Sequence, residues 1–280
     1  MRLYPVLFSL LAALPLAAQS SPPSPAAPDT PPPIEDNSFL IEEAYNQERG
    51  IVQHVSTFAR SEGSAAWVYA FTQEWPLAGQ AHQLSYTVPL AHNDDPLPTG
   101  TGVGDIGVTY RYQIGGGERA VALAPNVTVT LPTGNSRRAL GSGGTGLQLK
   151  LPFSARLSPT LVAHSNAGVS YTPRARDTFG NAAAIRGYAL GQSVIWLAHP
   201  RLNLMLESIW SVAQEVTGPR ETERSTEFLL SPGLRTAINL KSGLQIVPGL
   251  AFPLGIGSSR GERGVFAYLS FEHPFARQSQ

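Results

Sequence analysis

The sequence predicts an all-β fold, a transmembrane antiparallel up-and-down β-barrel of about twelve strands preceded by a short N-terminal helix. Three observations predict it: apolar residues recur with period two from Gly50 almost to the last residue, charged residues avoid the apolar parity, and short connections alternate with long ones. The chain has 280 residues, 42% of them hydrophobic and 14% charged, with zero formal net charge. That length suffices for one large domain, and the charge balance gives no electrostatic reason to expect nucleic acid as a partner. Cysteine is absent, which removes disulfides and thiolate metal sites and leaves stability to packing and backbone hydrogen bonding.

Residues 1–18 carry Arg2, an apolar run and the small pair Ala17 and Ala18, the pattern of a secretory signal peptide. The run is shorter than the roughly 20 apolar residues of a spanning helix, and Pro5 and Pro15 interrupt it. Residues 19–33 are rich in Pro, Ala and Ser, too poor in apolar surface to offset the entropy of ordering, and are expected to form a disordered leader. Residues 34–49 are expected to form a short helical segment. Asn37 and Ser38 can cap a helix over Phe39–Asn46, with Glu42 and Glu43 near its positive end. Such a helix would either lie against the periplasmic rim or plug the lumen, and the rim is the preferred position.

Residues 50–280 are expected to form the barrel. Ile106, Val108, Tyr110, Tyr112 and Ile114 share one face of a strand whose other face carries Asp105, Gly107, Thr109, Arg111 and Gln113. Val121, Leu123, Val127, Val129 and Leu131 repeat the pattern, as do Leu147, Leu149, Leu151, Phe153 and Leu157. It recurs around Trp67–Trp75, Leu84–Leu90, Tyr188–Trp196, Leu202–Val212, Phe228–Leu240, Leu244–Phe252 and Val265–Phe275, with weaker segments at Ile51–Arg60 and Leu161–Tyr171. Strands of about ten residues are long enough to cross an outer membrane when tilted.

A soluble sandwich also alternates, so the connections carry the discrimination. Short ones near Leu77–Gly79, Gly115–Arg119, Ser158–Pro159, His199–Arg201 and Lys241–Ser242 alternate with longer ones at Ala91–Thr101, Thr133–Gly143, Pro173–Ala183, Thr217–Arg224 and Gly255–Gly264. That asymmetry is expected of tight periplasmic turns and longer external loops. The strand charges Asp105, Arg111, Lys150, Arg156, Glu207, Glu227, Arg235 and Glu272 all take the parity opposite the apolar one. On the lipid face a mid-membrane Arg or Lys would cost about 2 to 4 kcal/mol, so these eight residues are the lumen-lining candidates. Trp67, Trp75, Trp196 and Trp210 suit aromatic girdles.

The string Ile34-Glu-Asp-Asn-Ser-Phe-Leu-Ile-Glu-Glu-Ala-Tyr-Asn-Gln-Glu-Arg-Gly-Ile-Val-Gln-His54, the strand from Gly102 to Gln113 and the Leu131-Pro-Thr-Gly134 segment resemble an outer-membrane, transporter-like barrel family associated with the meta-pathway of phenol degradation. The resemblance implies a transporter-like barrel. It carries no catalytic motif to transfer. Phe275 is followed by five further residues instead of closing the chain, unlike the assembly signal of many such barrels.

Other signals are weaker. Gly102-Val103-Gly104-Asp105 opens a strand, so no helix N-terminus is present to hold a phosphate. Asn126-Val127-Thr128 matches a glycosylation sequon but falls within a strand. His54, His82, His92, His164, His199 and His273 show no metal-ligand spacing. His164 with Asn166 could orient a nucleophile as in a barrel lipase, but no serine motif accompanies them. No catalytic residue, metal or cofactor is therefore assigned, and the chain is expected not to be an enzyme. The expectation is a bacterial outer-membrane channel or transporter for small, aromatic or hydrophobic molecules. Its expected partners are membrane lipid, the barrel assembly machinery and a small-molecule solute. A structural or adhesive barrel is the alternative, and a lipid hydrolase the less favoured one.

Overall fold

A strand whose two faces differ in polarity buries one face only by pairing with others of the same parity, and twelve such strands can abolish their edges by closing on themselves. The computed structural model describes residues 34–35, 37–77, 79–94, 99–115, 120–241 and 244–274. The expected signal peptide, most of the leader and Phe275 lie outside the described residues.

The described chain forms a closed antiparallel barrel of twelve strands. They are β1 (Ile51–Ser61), β2 (Trp67–Pro76), β3 (His82–Asn93), β4 (Gly100–Val103 and Ile106–Tyr112, with Ile114–Gly115) and β5 (Val121–Leu123 and Asn126–Leu131). Then come β6 (Gly146–Ser158), β7 (Leu161–Arg176), β8 (Ala182–His199), β9 (Leu202–Gly218) and β10 (Glu221–Thr236, with Ile238–Asn239). The last two are β11 (Gln245–Ala251, with Leu254–Gly255) and β12 (Gly264–Pro274). Each strand pairs with its sequence neighbours, and β1 pairs with β12 from Ile51 opposite Pro274 to Ser61 opposite Gly264, which closes the cylinder. β1 starts and β12 ends at one rim, here the terminal end. The other rim is the loop end.

Pairing fixes which parity faces in. Leu84, Tyr110, Leu149, Leu190, Trp196, Leu206, Trp210, Leu234, Phe252 and Leu269 are all exposed on the outer wall. Gln83, Thr109, Arg111, Ser154, His164, Ser193, Glu207 and Arg235 are all buried on the inner one. A continuous exposed apolar belt over a buried polar interior inverts the arrangement of a water-soluble domain, and it identifies the wall as lipid-facing. Trp67 and Trp75 bracket β2, Trp196 lies near the terminal end of β8, and Trp210 sits mid-strand in β9.

The connections depart from the expected alternation in two places. β7 through β10 run 16, 18, 17 and 16 residues, well beyond the roughly 9 to 11 needed to span. They absorb much of two of the segments expected as long loops, Pro173–Ala183 and Thr217–Arg224. Pro173–Ala183 reduces to a turn at 177–181, where Asp177 Oδ1 accepts the N–H groups of Phe179 at 3.0 Å and Asn181 at 2.8 Å. Between Val216 and Thr222, still paired, the chain reverses through Pro219 and Arg220. The apolar alternation stops at the edge of the belt while strand pairing continues past it with polar side chains, so hydrophobic periodicity underestimates these strands. Among the connections described throughout, 132–145 and 256–263 remain long, each holding one short 3-10 turn, while residues 95–98 of the expected Ala91–Thr101 loop lie outside the described residues.

Candidate functional site: an inner strap held across the lumen

The expected helix over Phe39–Asn46 is not there. Residues 37–47 bend through the barrel interior as an irregular strap, with Asn37, Ser38, Phe39, Ala44, Asn46 and Gln47 all fully buried. The rim position preferred from the sequence is also replaced: the segment occupies the lumen. A helix satisfies its N–H groups internally, and here barrel side chains satisfy them instead. That exchange is invisible to capping signals, because the partners lie 36 to 168 residues away.

The strap enters at the terminal end, where Ile34 N–H donates to Pro200 O at 2.8 Å. Asn203 Nδ2 donates to Glu35 O at 2.5 Å, and Arg235 donates to Asn37 O. Ser38 Oγ donates to Ser193 Oγ at 2.6 Å. At the bend a single carboxylate oxygen, Glu207 Oε1, accepts the N–H groups of Phe39, Leu40 and Ile41 at 3.1, 2.8 and 3.1 Å. Three consecutive N–H groups converging on one oxygen form a concave anion-binding nest. Asn166 then grips Glu42 from both sides, accepting its N–H at 2.7 Å and donating to its carbonyl at 2.7 Å. Ser154 Oγ accepts from Ala44 N–H at 2.7 Å, Gln113 from Asn46 and Gln83 from Gln47, each also at 2.7 Å.

Charge is concentrated on one strap residue. The Glu42 carboxylate pairs with Lys150 Nζ, lies 3.9 Å from Arg111 Nη1 and accepts from Asn126 Nδ2 at 2.8 Å. Arg111 also donates to Asn46 Oδ1 and Tyr45 O, both at 2.8 Å. Buried charges need such partners, because removing one leaves the other uncompensated. Opposite this polar side the strap packs apolar groups. The Phe39 ring lies 5.6 Å from Phe266 and 5.3 Å from Tyr268, and the Arg235 guanidinium stands 5.2 Å from the Tyr268 ring. Phe39 fits only because β10 and β11 present glycine there: a Cβ on Gly249 would meet the ring at 2.5 Å, and one on Gly233 at 2.7 Å. Ile41 likewise occupies the space of a Cβ on Gly191.

Of the eight residues expected to line the lumen, Arg111, Lys150, Glu207 and Arg235 are brought together by the strap they bind. Glu272 joins from β12, accepting at 3.1 Å from Gln53 Nε2, while Gln53 Oε1 accepts from the strap's Gln47 Nε2 at 2.9 Å. Glu227 faces inward nearer the loop end, and Arg156 is exposed near the terminal rim. Asp105 serves the loop end, accepting from Gly134 N–H at 2.9 Å and from Ser142 N–H at 2.6 Å. The sequence placed Glu42 near a helix start, Asn166 beside His164 and Gln113 on an inward face, but it did not bring them or Gln83 together as partners of one strap. For Asn166, Gln83 and Gln113 the only local signal was their inward parity. Sequence reasoning also missed a serine beside His164: Ser154 Oγ lies 2.7 Å from His164 Nδ1. Both residues are fully buried, and Ser154 is committed to the strap.

Beyond the strap, toward the loop end, lies a cavity of about 70 Å³ lined by Ile41, Lys150, Asn166, Gly168, Gly187 and Ala213.

Fold and interior together define an outer-membrane-type barrel with an occupied lumen. Solved structures of that class are similar. An outer membrane channel from Pseudomonas putida F1 matches with a TM-score of 0.61 at 15% identity, over 83% of this chain and 98% of that one. The NanC porin matches at 0.53 and 10% identity, over 78% and 98% of the respective chains. The KdgM porin matches at 0.50 and 9% identity, over 80% and 99%. No protein-family model matches the sequence, and no curated protein does.

Proposed function

We propose that this protein is an outer-membrane channel for small solutes whose passage is closed by its own strap and opens when the strap is displaced. The observation that carries the reading is that residues 37–47 cross the lumen bonded to side chains of most of the strands around it. The exposed apolar belt supports the membrane placement, and the signal-like residues 1–18 support export. Even strand number returns both ends of the barrel to one side, which the reading assigns to the periplasm, leaving the loop end outside. Likeness to porins and a channel supports the transport class.

The finer reading, uptake of aromatic or hydrophobic molecules, rests on the resemblance to the phenol-degradation group. The apolar socket of Phe266 and Tyr268, which an aromatic ring already fills, is compatible with it. Membrane lipid, the barrel assembly machinery and the solute are the partners this function requires.

Planar-bilayer recordings of the full chain beside a variant lacking residues 34–47 test the reading. The full chain should give rare, brief openings and the variant a steady conductance. Equal, closed behaviour of both would point to a permanently filled structural barrel and overturn the proposal.

A further inference from the structure

Register places an unpaired cationic row on the outer wall. Tyr171 lies opposite Arg186, Arg186 N–H donates to Gln214 at 3.0 Å, and Gln214 lies opposite Arg224. One step deeper, Leu149, Val169, Tyr188 and Val212 form the next row of the same face. The first row therefore sits at the loop-end edge of the apolar belt. Exposed Arg174 and Arg176 flank the buried Ala175 on β7 and so extend the outward face toward the loops.

Among the described residues no carboxylate pairs with this row: the carboxylate–cation pairs both belong to Glu42, inside the barrel. The nearest strand carboxylates, Glu215 and Glu223, face each other on the inward parity. The Arg186 guanidinium is steadied by the Tyr171 ring, 5.8 Å from its centroid. Below it runs an open crevice lined by Leu147, Leu149, Val169, Tyr171, Arg186 and Tyr188, which is apolar except at its upper end.

We propose that this crevice is a binding site for a phosphorylated lipid of the leaflet at the loop end. The phosphate would sit between Arg186 and Arg224 and one acyl chain along Leu149, Val169 and Tyr188. Guanidinium groups favour phosphate through paired, charge-assisted hydrogen bonds, and at the membrane interface the competing water is reduced. The site is on the wall and independent of whether the lumen conducts.

The test is native mass spectrometry of the detergent-purified full chain titrated with lipid A, with its dephosphorylated form, and with inorganic phosphate as competitor. Lipid A adducts should survive on the parent. They should fall about tenfold in the variant carrying Arg186→Gln and Arg224→Gln, as expected for the loss of two charge-assisted contacts, and stay unchanged in Arg60→Gln, an outward arginine on the far side of the wall. Dephosphorylated lipid should bind the parent no better than it binds the double variant, and free phosphate should compete only weakly. Undiminished lipid A binding by the double variant, or equal binding of both lipid forms to the parent, overturns the proposal. The lipid comparison on the parent decides it even if the variant folds poorly.

Discussion

At the scale of single residues, the lumen depends on side chains that replace a helix's own hydrogen bonds. Glu207 shows this most clearly, since one of its oxygens takes three strap N–H groups. Glu207→Gln keeps the shape and an acceptor but removes the charge, which should weaken the strap's hold by about 1 to 2 kcal/mol. The expected readout is a several-fold rise in channel opening frequency, with the folded barrel's resistance to unfolding in detergent unchanged. An opening frequency equal to the parent's would show that the nest does not hold the strap. The inward parity of Glu207 was legible in the sequence, but its partner was not. Alternation reports which face a residue takes and carries no information about a segment that crosses the interior.

At the scale of elements, the strands β1–β12 were legible because lipid on one side and polar groups on the other enforce period two. The extensions of β7–β10 were not, because outside the belt both faces are polar and the period vanishes while backbone pairing persists. The helix expected over Phe39–Asn46 failed for a related reason: capping residues mark a local preference, and tertiary partners supplied a better one. Loops offer two tests. Asp105 closes the 132–145 connection through Gly134 and Ser142. Asp105→Ala should leave the barrel folded but loosen the connection that carries the exposed Arg137 and Arg138, so limited trypsin digestion should cut there several times faster than in the parent. At the loop-end mouth of β1 and β3, Asp94 accepts from Ala65 N–H at 2.6 Å and from Ser64 Oγ. Burial alone would raise the Asp94 carboxyl, but these hydrogen bonds outweigh it and hold it below its ordinary value of 3.8. A depressed carboxyl stabilises the loop above that ordinary value and loses its effect as pH falls through the lower folded one. The Ala65 amide resonance should therefore move in a single acid titration centred below 3.8, and Asp94→Asn should abolish that step.

At the scale of the whole molecule, closure into a cylinder solves the edge problem and leaves a lumen that the chain fills from its own N-terminal side. Polar bonds to nearly every strand give the strap a defined path. These are polar bonds, which water can replace once the lumen hydrates. Such a strap can act as a gate, whereas an apolar plug of equal size would be part of the core. The cavity beyond Ile41 shows where space already exists on the loop-end side.

The central claim is that solute passes only when the strap leaves the lumen, and the cysteine-free chain permits a direct test. Ser38 Oγ and Ser193 Oγ are 2.6 Å apart, so Ser38→Cys with Ser193→Cys places two sulfurs where a disulfide can form with little backbone movement. Single-channel conductance of this variant should be silent under oxidising conditions and recover openings like the parent's after reduction. Equal conductance in the two states, with the crosslink verified, would contradict the account.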